Sequence, residues 1–298
     1  MLLAGSKPIV FTVVDPGELP AILDMSIAAQ GGVEAHRRAP HLLLYAEPIS
    51  PLTHPRSSVD KLLFCARNGI AVTYSPGSMG GGTAPVTGAG SVVQSVAEIL
   101  SALVIHQLCR PGAPFVFGGA IGALDMKTMV NVYSAPFAPL WGAALCEMGK
   151  HYRLPTWSTG GCSDSKLVDA QAALDSAMTI LPAVYSGANL VHDVGYLESG
   201  LASSPEQLVI SAEAIRIAGR MAEGIRIDEA SLAVEAIERV GPGGNFLTDP
   251  HTLENFRREM FEPSLVDYRP REAWQAAGGQ SLLDRAGALV EELLAEAP

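Results

Sequence analysis

Leu42-Leu43-Leu44-Tyr45-Ala46 is the stretch that decides the fold, because its first three residues form a continuous apolar run. Phe115-Val116-Phe117 repeats this composition further along the chain. Strands of a parallel sheet that is covered on both faces are continuously apolar, whereas half-exposed antiparallel strands alternate between apolar and polar residues. The two stretches therefore predict buried parallel strands.

Apolar segments of this kind alternate with helical patterns along the first 221 residues. Six segments are predicted as strands, over residues 9–14, 42–46, 71–75, 115–117, 155–158 and 189–193. Six helices are predicted over residues 19–30, 57–68, 91–109, 140–152, 165–185 and 205–221. Strand followed by helix, repeated in this way, indicates crossover connections and parallel pairing. The pattern favours an α/β fold, either a barrel or a doubly wound sheet.

Only helices are predicted beyond this region, over residues 230–240, which Asp228 would cap, and over residues 280–297. We expect residues 223–298 to form a helical C-terminal extension that packs on the outside of the sheet, within a single domain spanning residues 1–298. A closed (β/α)₈ barrel needs eight strands. Six strands would leave such a barrel incomplete, with two free edges that invite pairing.

Composition and charge limit the classes of function. The chain has 298 residues, of which 48% are apolar and 17% charged, enough to bury a large core. The 31 acidic and 20 basic residues give a net charge of −11, which argues against nucleic acid and favours cationic small substrates or basic partners. Acidity that merely keeps the protein soluble explains the charge equally well.

The four cysteines, Cys65, Cys109, Cys146 and Cys162, show no C-x-x-C or C-x-x-H spacing. The sequence therefore predicts no zinc site and no disulfide framework, as is usual in a reducing cytoplasm. The first three lie in apolar helical patterns, whereas Cys162 follows two glycines and precedes polar residues. We expect Cys162 to be the one accessible thiol.

The N-terminal residues do not resemble an export signal, and no segment is predicted to reach membrane-spanning length. These features predict a cytoplasmic protein without a membrane partner.

The loop Thr159-Gly160-Gly161-Cys162-Ser163-Asp164-Ser165-Lys166-Leu167-Val168-Asp169-Ala170-Gln171 concentrates reactive side chains. It follows the predicted strand over residues 155–158, and loops of this kind gather at the face of a barrel where ligands bind. A glycine turn followed by Ser163 or Asp164 as the cap of the next helix explains the same residues without any chemistry.

Four other loops are predicted to lie on the same face, and the first of them, Glu47-Pro48-Ile49-Ser50-Pro51, follows the strand over residues 42–46. The run Gly80-Gly81-Gly82 lacks the Lys-Ser or Lys-Thr of a phosphate-binding loop, so close approach of the backbone to a bulky ligand is the better use. Gly118-Gly119-Ala120 follows its strand in the same style. The fourth loop, over residues 192–198, contains an imidazole, two carboxylates and a phenol, which are His192, Asp193, Glu198 and Tyr196.

Several of these side chains have a catalytic and a structural interpretation. His192 and Asp193 could form a general base pair, although a histidine at a strand end more often makes a structural hydrogen bond. Glu198 could hold a cationic substrate or cap the helix that starts near residue 205. Aromatic faces together with carboxylates suit a quaternary ammonium group, and the aromatic candidates are Tyr196, Tyr133, Phe137 and Trp141.

A family resemblance extends across nearly the whole chain. The Ser163-Asp164-Ser165-Lys166 sequence after Cys162 resembles the active-site loop of the trimethylamine methyltransferase superfamily, in which pyrrolysine precedes Ser-Asp-x-Lys. Cys162 occupies the place that matches pyrrolysine. Further matching stretches, in the family's order and spacing, are residues 48–52, 80–86, 107–113, 197–200, 240–247 and 274–278. Family members carry a long further N-terminal portion, and Met1 is expected to fall inside their barrel.

The resemblance implies a TIM-type (β/α)₈ barrel, incomplete here with about six βα units. It implies transfer of a methyl group from a methylated amine or betaine to the cobalt(I) of a corrinoid (cobalamin) carried by a separate protein, with no cofactor bound covalently and no metal ligated by this chain. Because a thiol is not the electrophile that pyrrolysine provides, a quaternary betaine such as glycine betaine is the expected substrate. We also expect a homo-oligomer.

The site residues that this interpretation implies fall into two groups. Cys162, Asp164 and Lys166 form the catalytic loop, with Cys162 lining the pocket rather than attacking. Substrate-binding roles are expected for Glu198, His192, Tyr196, Gln171, Gly81 and Gly119.

Three alternatives stay open from the sequence. In the first, the Cys162 thiolate attacks the methyl group. In the second, a different barrel enzyme acts on a small acid or carbonyl, with His192 and Asp193 as base and Cys162 as nucleophile. In the third, the chain is non-catalytic and serves at most as a surface that binds a corrinoid protein or its own kind.

Overall fold

The computed structural model describes residues 7–296. Six parallel strands form its main sheet, in the order β1-β2-β3-β5-β8-β9. Each neighbouring pair is parallel, as the continuous apolar runs predict. These strands are β1 (Ile9–Phe11), β2 (Leu42–Ala46), β3 (Ala71–Tyr74), β5 (Phe115–Gly118), β8 (Thr156–Thr159) and β9 (Leu190–His192).

The sheet separates its side chains into an outer and an inner set. Successive residues of a strand point to opposite faces, so Leu44 packs in the large cluster under the helices while its neighbours Leu43 and Tyr45 belong to a separate small cluster. Val116 and Trp157 complete that small inner cluster. Both faces of the strands are therefore largely covered, the outer one by helices.

The sheet is curled into a half-barrel. Its two edge strands, β1 and β9, line one and the same cleft on the inner face, which a flat sheet would not allow. The prediction of an incomplete TIM-type barrel with six strands is thereby confirmed. Because all six strands are parallel, their carboxyl ends lie at one face, and the loops that follow them meet there.

The helices that cross between the strands follow the predicted segments closely. They are α1 (Leu19–Ala29), α2 (Val33–Arg38), α3 (Arg56–Asn68), α4 (Gly88–Cys109), α5 (Phe137–His151), α6 (Ala170–Tyr185) and α7 (Pro205–Ala222). Helix α2 was not predicted. Helix α6 begins five residues later than predicted, because the Asp169 side chain caps it by accepting a hydrogen bond from the Ala172 N–H.

Helix α4 corrects the prediction that no segment reaches membrane-spanning length. Among the described residues it is the one helix that is long and apolar enough, a test that a helix packed in a protein core also passes. Here it packs against α3, α5 and β5, and Ile99 lies in the core. The fully buried Glu98 on the same helix accepts hydrogen bonds from Ser50 Oγ and the Leu52 N–H, both at 2.8 Å. This carboxylate fixes the loop that follows β2.

The remaining helices form the C-terminal extension. They are α8 (Glu229–Leu232), α9 (Val234–Val240), α10 (Pro250–Glu259), α11 (Arg271–Ala276) and α12 (Leu282–Glu296). Asp228 caps α8 as predicted, but Ala233, at φ 52°, divides the predicted helix into α8 and α9. Helix α12 packs on α7 through a small apolar cluster of Ile210, Leu265 and Ala286. The single-domain assignment stays a prediction.

Short strands cover the carboxyl ends of the main sheet. β4 (Met79–Gly80), β6 (Gly122–Leu124) and β7 (Asn131–Val132) form a three-stranded sheet, and β10 (Tyr196–Leu197) pairs with β11 (Ala202–Ser203). They belong to the loops that follow β3, β5 and β9, and short 3₁₀ turns, Pro16–Glu18 and Glu198–Gly200, complete the described elements. The loops at this face are thus folded structures in their own right.

Candidate functional site

A cleft of about 590 Å³ occupies the inner face of the half-barrel. The edge strands line it with Val10 and Phe11 on one side and with Leu190 and His192 on the other. Trp157 lies between these sides. The cleft therefore opens where a complete barrel would have further strands.

Three aromatic rings gather in this cleft. The Trp157 and His192 rings are stacked, with centroids 4.4 Å apart, and the Tyr45 ring lies 5.7 Å from Trp157 and 5.9 Å from His192. Trp157 is only 2% exposed, and its Nε1 has no hydrogen-bond partner among residues 7–296. Tyr133 and Tyr196 line the same cleft. The cleft thus offers several aromatic faces to a ligand.

Both ring nitrogens of His192 are engaged. Nδ1 lies 2.7 Å from Asp193 Oδ1, and Nε2 lies 3.1 Å from Thr159 Oγ1. These two contacts are those of a histidine that makes structural hydrogen bonds, and a general base would need a free ring nitrogen. The catalytic role of His192 stays a prediction. In particular, neither nitrogen is left to take a proton from Cys162.

The charge lining the cleft is negative. Glu47 and Asp193 contribute carboxylates, and no lysine or arginine is among the described residues that line it. Tyr45 donates a 2.5 Å hydrogen bond to Glu47 Oε1. Burial, followed by the nearby Asp193, raises the pKa of Tyr133 to about 12. A cation is therefore favoured in the cleft, and an anion is not.

Cys162 is buried, and the prediction that it is the one accessible thiol is wrong. It is 1% exposed, whereas Cys109 is the cysteine at intermediate exposure. Its thiol lines a cavity of about 20 Å³, room for about one water molecule. Burial raises the pKa of Cys162 above its usual range, and the negative charges of Asp193 and Asp164 raise it further. The group is a neutral thiol at physiological pH.

A thin partition separates this cavity from the cleft. Ala120, Asn131 and Tyr133 line both spaces, so they form the wall between them. Asn131 belongs to β7 and Tyr133 follows it directly, so most of the wall comes from the loop after β5. This loop covers Cys162, and the sequence around the cysteine does not predict that burial.

Asp164 is fixed by hydrogen bonds. Its carboxylate accepts from the N–H groups of Tyr133 and Ser134, from Ser134 Oγ and from Ser199 Oγ. Burial alone would raise the pKa of the Asp164 carboxyl, yet the hydrogen bonds from Ser134 and Ser199 outweigh it and lower the pKa. Asp164 is therefore an ionised acceptor, which has no proton to give as an acid.

Four other predicted site residues line neither the cleft nor the Cys162 cavity. Lys166 is exposed, and its Nζ donates to the Asp164 carbonyl at 2.7 Å. Gln171 is exposed and reaches Asp175. Glu198 is exposed too, and Ser204 rather than Glu198 caps α7. Gly81 is absent from the lining of both spaces.

The glycines at this face serve packing. A Cβ at Gly80 would lie 2.9 Å from the Trp141 ring, and one at Gly82 would lie 2.9 Å from Leu124 Cδ1. Gly81, at φ 87°, faces Met126. The expected close approach to a bulky ligand is therefore an approach to the protein's own side chains. Gly119 lines the small Cys162 cavity and not the cleft, and a Cβ there would lie 2.9 Å from Pro76 Cδ, so its substrate-binding role stays a prediction.

Sequence reasoning missed Tyr45 and Trp157, and it placed Glu47 in a loop at this face without assigning it a role. The alternation along β2 and β8 was the available signal, because residues two apart on a strand share a face. Of the four aromatic candidates from the loops and helices, Tyr133 and Tyr196 line the cleft. Phe137 and Trp141 instead pack on each other, with centroids 5.4 Å apart.

Comparison with known proteins identifies the family. The model for the trimethylamine methyltransferase family matches residues 1–298. The chain belongs to the trimethylamine methyltransferase family. This confirms the resemblance inferred from the active-site loop and from the stretches that follow it.

Characterised relatives of this family member carry two kinds of name. A trimethylamine methyltransferase of Desulfitobacterium hafniense is 34% identical over 89% of this chain and 53% of its own length. A glycine betaine methyltransferase from another strain of that species is 33% identical over 82% of this chain and 51% of its own. A trimethylamine methyltransferase of Methanosarcina barkeri is 35% identical over 89% and 53%. The chain spans about half the length of these relatives.

Proposed function

We propose that this protein takes part in transfer of a methyl group from a quaternary, betaine-like amine to the cobalt(I) of a corrinoid carried by a separate protein. The observation that carries the proposal is the cleft, in which Tyr45, Trp157 and His192 stand together with the carboxylates of Glu47 and Asp193. Family membership supplies the reaction type. The relatives' names supply the two amine classes between which the cleft must choose.

The cleft suits a fixed positive charge. Aromatic faces attract quaternary ammonium groups through the ring quadrupole, and a desolvated contact contributes about 2 kcal/mol. Glu47 and Asp193 add Coulombic attraction from the carboxyl end of the strands. The carboxylate of a betaine has no lysine or arginine partner among the described lining residues, so we place that end toward the open side of the cleft.

The thiol favours a quaternary amine over a tertiary one. In the proposed step the C–N bond breaks with its electron pair on nitrogen, and cobalt(I) supplies the pair for the new cobalt–carbon bond. A quaternary nitrogen leaves as a neutral amine, so no proton transfer is needed. A tertiary amine would need prior protonation or a covalent activator, and the neutral, buried thiol of Cys162 is not an electrophile.

The same state of Cys162 argues against two alternatives. Thiolate attack on the methyl group requires a thiolate, which the raised pKa disfavours. Cys162 as nucleophile with His192 as base requires a free imidazole nitrogen, and both are engaged by Asp193 and Thr159. Positioning of substrate and cobalt in line is then the main contribution that we assign to the protein.

A corrinoid-bearing partner has a suitable surface at the carboxyl ends of the strands. The loops there expose large apolar side chains around the mouth of the half-barrel, namely Ile49, Leu52, Val86, Met126, Met129, Leu167 and Leu201. Exposed apolar patches of this kind are typical of protein interaction surfaces. A partner that docks on them would bring its cobalt to the open end of the cleft. We also propose a reducing compartment, which cobalt(I) and free thiols both require.

The experiment mixes the purified protein with reduced cobalamin and a panel of methylated amines, and follows the absorbance of cobalt(I). We expect the signal to fall with a betaine and to persist with trimethylamine. A fall with trimethylamine alone would overturn the substrate assignment. A signal that persists with every compound, also after addition of a corrinoid protein, would favour the non-catalytic alternative, in which the chain only binds that partner or its own kind.

A further inference from the structure

We propose that Asp164 is a positioning residue that fixes the gap between Tyr133 and Tyr196, and with it the wall between the Cys162 cavity and the cleft. The consequence for substrate rests on the function proposed above. The consequence for the thiol does not, because it follows from the contacts of Asp164 alone. Asp164 thereby acts through the two tyrosines and touches neither the amine nor the cobalt.

The Asp164 carboxylate and its hydrogen bonds to two loops are called the clamp. Its first set of hydrogen bonds holds the loop after β5. Asp164 Oδ2 lies 2.9 Å from the Ser134 N, 2.6 Å from Ser134 Oγ and 3.1 Å from the Tyr133 N. The backbone N–H of Tyr133 is therefore held directly, next to the Cα that carries the side chain lining both spaces. No other carboxylate among the described residues bonds this stretch of backbone.

The second half reaches the loop after β9. Asp164 Oδ1 accepts a 2.6 Å hydrogen bond from Ser199 Oγ. Two backbone hydrogen bonds join the same two segments. The Ser163 N–H donates to the Tyr196 carbonyl at 3.0 Å, and the Ser199 N–H donates to the Ser163 carbonyl at 3.2 Å. The loop that carries Tyr196 is thus held by Asp164 at Ser199 and by the neighbouring Ser163 at Tyr196 itself.

The chemistry of the clamp requires an ionised carboxylate. All hydrogen bonds that the described residues make to the Asp164 carboxylate are donated by N–H or O–H groups, from Tyr133, Ser134 and Ser199. A carboxylate accepts at both oxygens, whereas an asparagine amide must turn its NH₂ toward one set of donors. Such a substitution keeps the shape of the side chain and removes the acceptor on one side.

The functional consequence lies in the partition. Tyr133 separates the Cys162 thiol from the cleft, and Tyr196 lines the opposite part of the mouth. Loss of the clamp would let the loop after β5 move outward, which joins the two spaces and exposes the thiol. The aromatic surface around an ammonium group would loosen at the same time.

The test compares Asp164→Asn with Asp169→Asn. Asp169 lies on the same loop, where it caps α6 and accepts a 3.0 Å hydrogen bond from Ser165 Oγ. It makes no hydrogen bond to Tyr133, Ser134 or Ser199 among the described residues, and asparagine caps helices equally well, so it is a matched control. Folded protein is treated with iodoacetamide, and the labelling rate of Cys162 is read from its peptide by mass spectrometry, which separates it from Cys109. We expect Asp164→Asn to label at least about tenfold faster than the control and the wild type.

Two further variants keep the proposal testable if Asp164→Asn does not fold. Ser134→Ala and Ser199→Ala each remove one 2.6 Å hydrogen bond to Asp164, and each should raise the labelling rate by a smaller factor. Wild-type labelling rates in a folded Asp164→Asn, or in both serine variants, would overturn the proposal.

The second readout separates positioning from general damage. In the cobalt(I) assay, we expect Asp164→Asn to raise the KM for glycine betaine more than it lowers kcat, because the acid is outside the reacting atoms. A fall in kcat with an unchanged KM would contradict a positioning role. If Asp164→Asn is labelled faster but neither the wild type nor any variant transfers a methyl group, the positioning role of Asp164 is supported and the proposed function is contradicted.

Discussion

The outer and inner faces of the same six strands differ sharply in composition. The outer face presents Leu44, Val72 and Phe117 to the helices, all of them fully buried in one large cluster. The inner face carries only a small apolar cluster, around Leu43 and Val116, and above it the rings and polar groups of the cleft. Neighbouring residues of one strand thus serve different ends.

The difference shows where stability and recognition reside. Burial of the outer face contributes about 25 cal/mol per Å² of apolar surface, and it needs nothing from a ligand. On the inner face, the buried Thr73 Oγ1 and Trp157 Nε1 find no hydrogen-bond partner within the described part of the chain. Such atoms are costly in a fold, so a ligand or water molecule that bonds them is favoured there. Substitutions on the outer face should therefore lower stability, whereas substitutions on the inner face should weaken ligand binding.

The largest expected effect is on the outer face. Leu44→Ala should lower the free energy of unfolding by about 3 kcal/mol, because it leaves a cavity in a fully buried position. Denaturant unfolding followed by circular dichroism measures the change. The half-exposed Val10 at the inner edge is the control, and Val10→Ala should cost less than about 1 kcal/mol. Equal losses at both positions would erase the distinction between the faces.

The next effect concerns charge in the cleft. Asp193→Asn should weaken binding of glycine betaine about tenfold, since it removes a carboxylate beside the aromatic rings. Isothermal titration calorimetry measures the affinity. Asparagine tolerates the φ of 74° at this position, so the backbone is not strained. Glu198→Gln is the matched control, and a loss of affinity there instead would restore the sequence-based prediction.

A third effect depends on pH. The pKa of Asp164 is lowered in the fold, so the stability that its ionised form contributes is present above its unfolded value near 3.8 and is lost as pH falls through the folded pKa. Protection of the backbone around Tyr133 should then drop roughly fivefold as the pH falls below 3.8 and through the folded pKa, ahead of the core strands. Hydrogen exchange, corrected for intrinsic rates, follows both regions, and simultaneous loss of protection would contradict a separate clamp.

The smallest effect is expected at the thiol. Cys162→Ala should retain nearly the wild-type turnover of glycine betaine, because the thiol lines a cavity and does not react. The cobalt(I) assay measures turnover. Loss of turnover in a variant of unchanged thermal stability would revive thiolate attack. Cys146→Ala, at another buried cysteine, controls for packing.

The fold was largely predictable from the sequence, because continuous apolar runs identify buried parallel strands and caps identify most helix ends. The start of α6 was missed because Asp169, Asp164 and Ser163 all look like caps, and only the fold shows which one points along the helix axis. The short strands over the mouth are too short to carry a pattern.

The site was predictable only in part, for a related reason. Motif spacing found Cys162, Asp164, His192 and Tyr196, which all lie near the mouth. It gave no indication that the loop after β5 folds over Cys162, since that burial depends on contacts between distant segments. Tyr45 and Trp157 resemble ordinary core residues in the sequence, and only the curl of the sheet brings their rings together.

The proposed function requires that the inner face of the half-barrel bind a quaternary ammonium group. A crystal structure of the protein soaked with tetramethylammonium would show whether it does. We expect the cation in the cleft, within about 6 Å of the Tyr45 or Trp157 ring centroid and beside Asp193. A cleft without the cation at saturating concentration, or a cation bound on the outer helices instead, would contradict it.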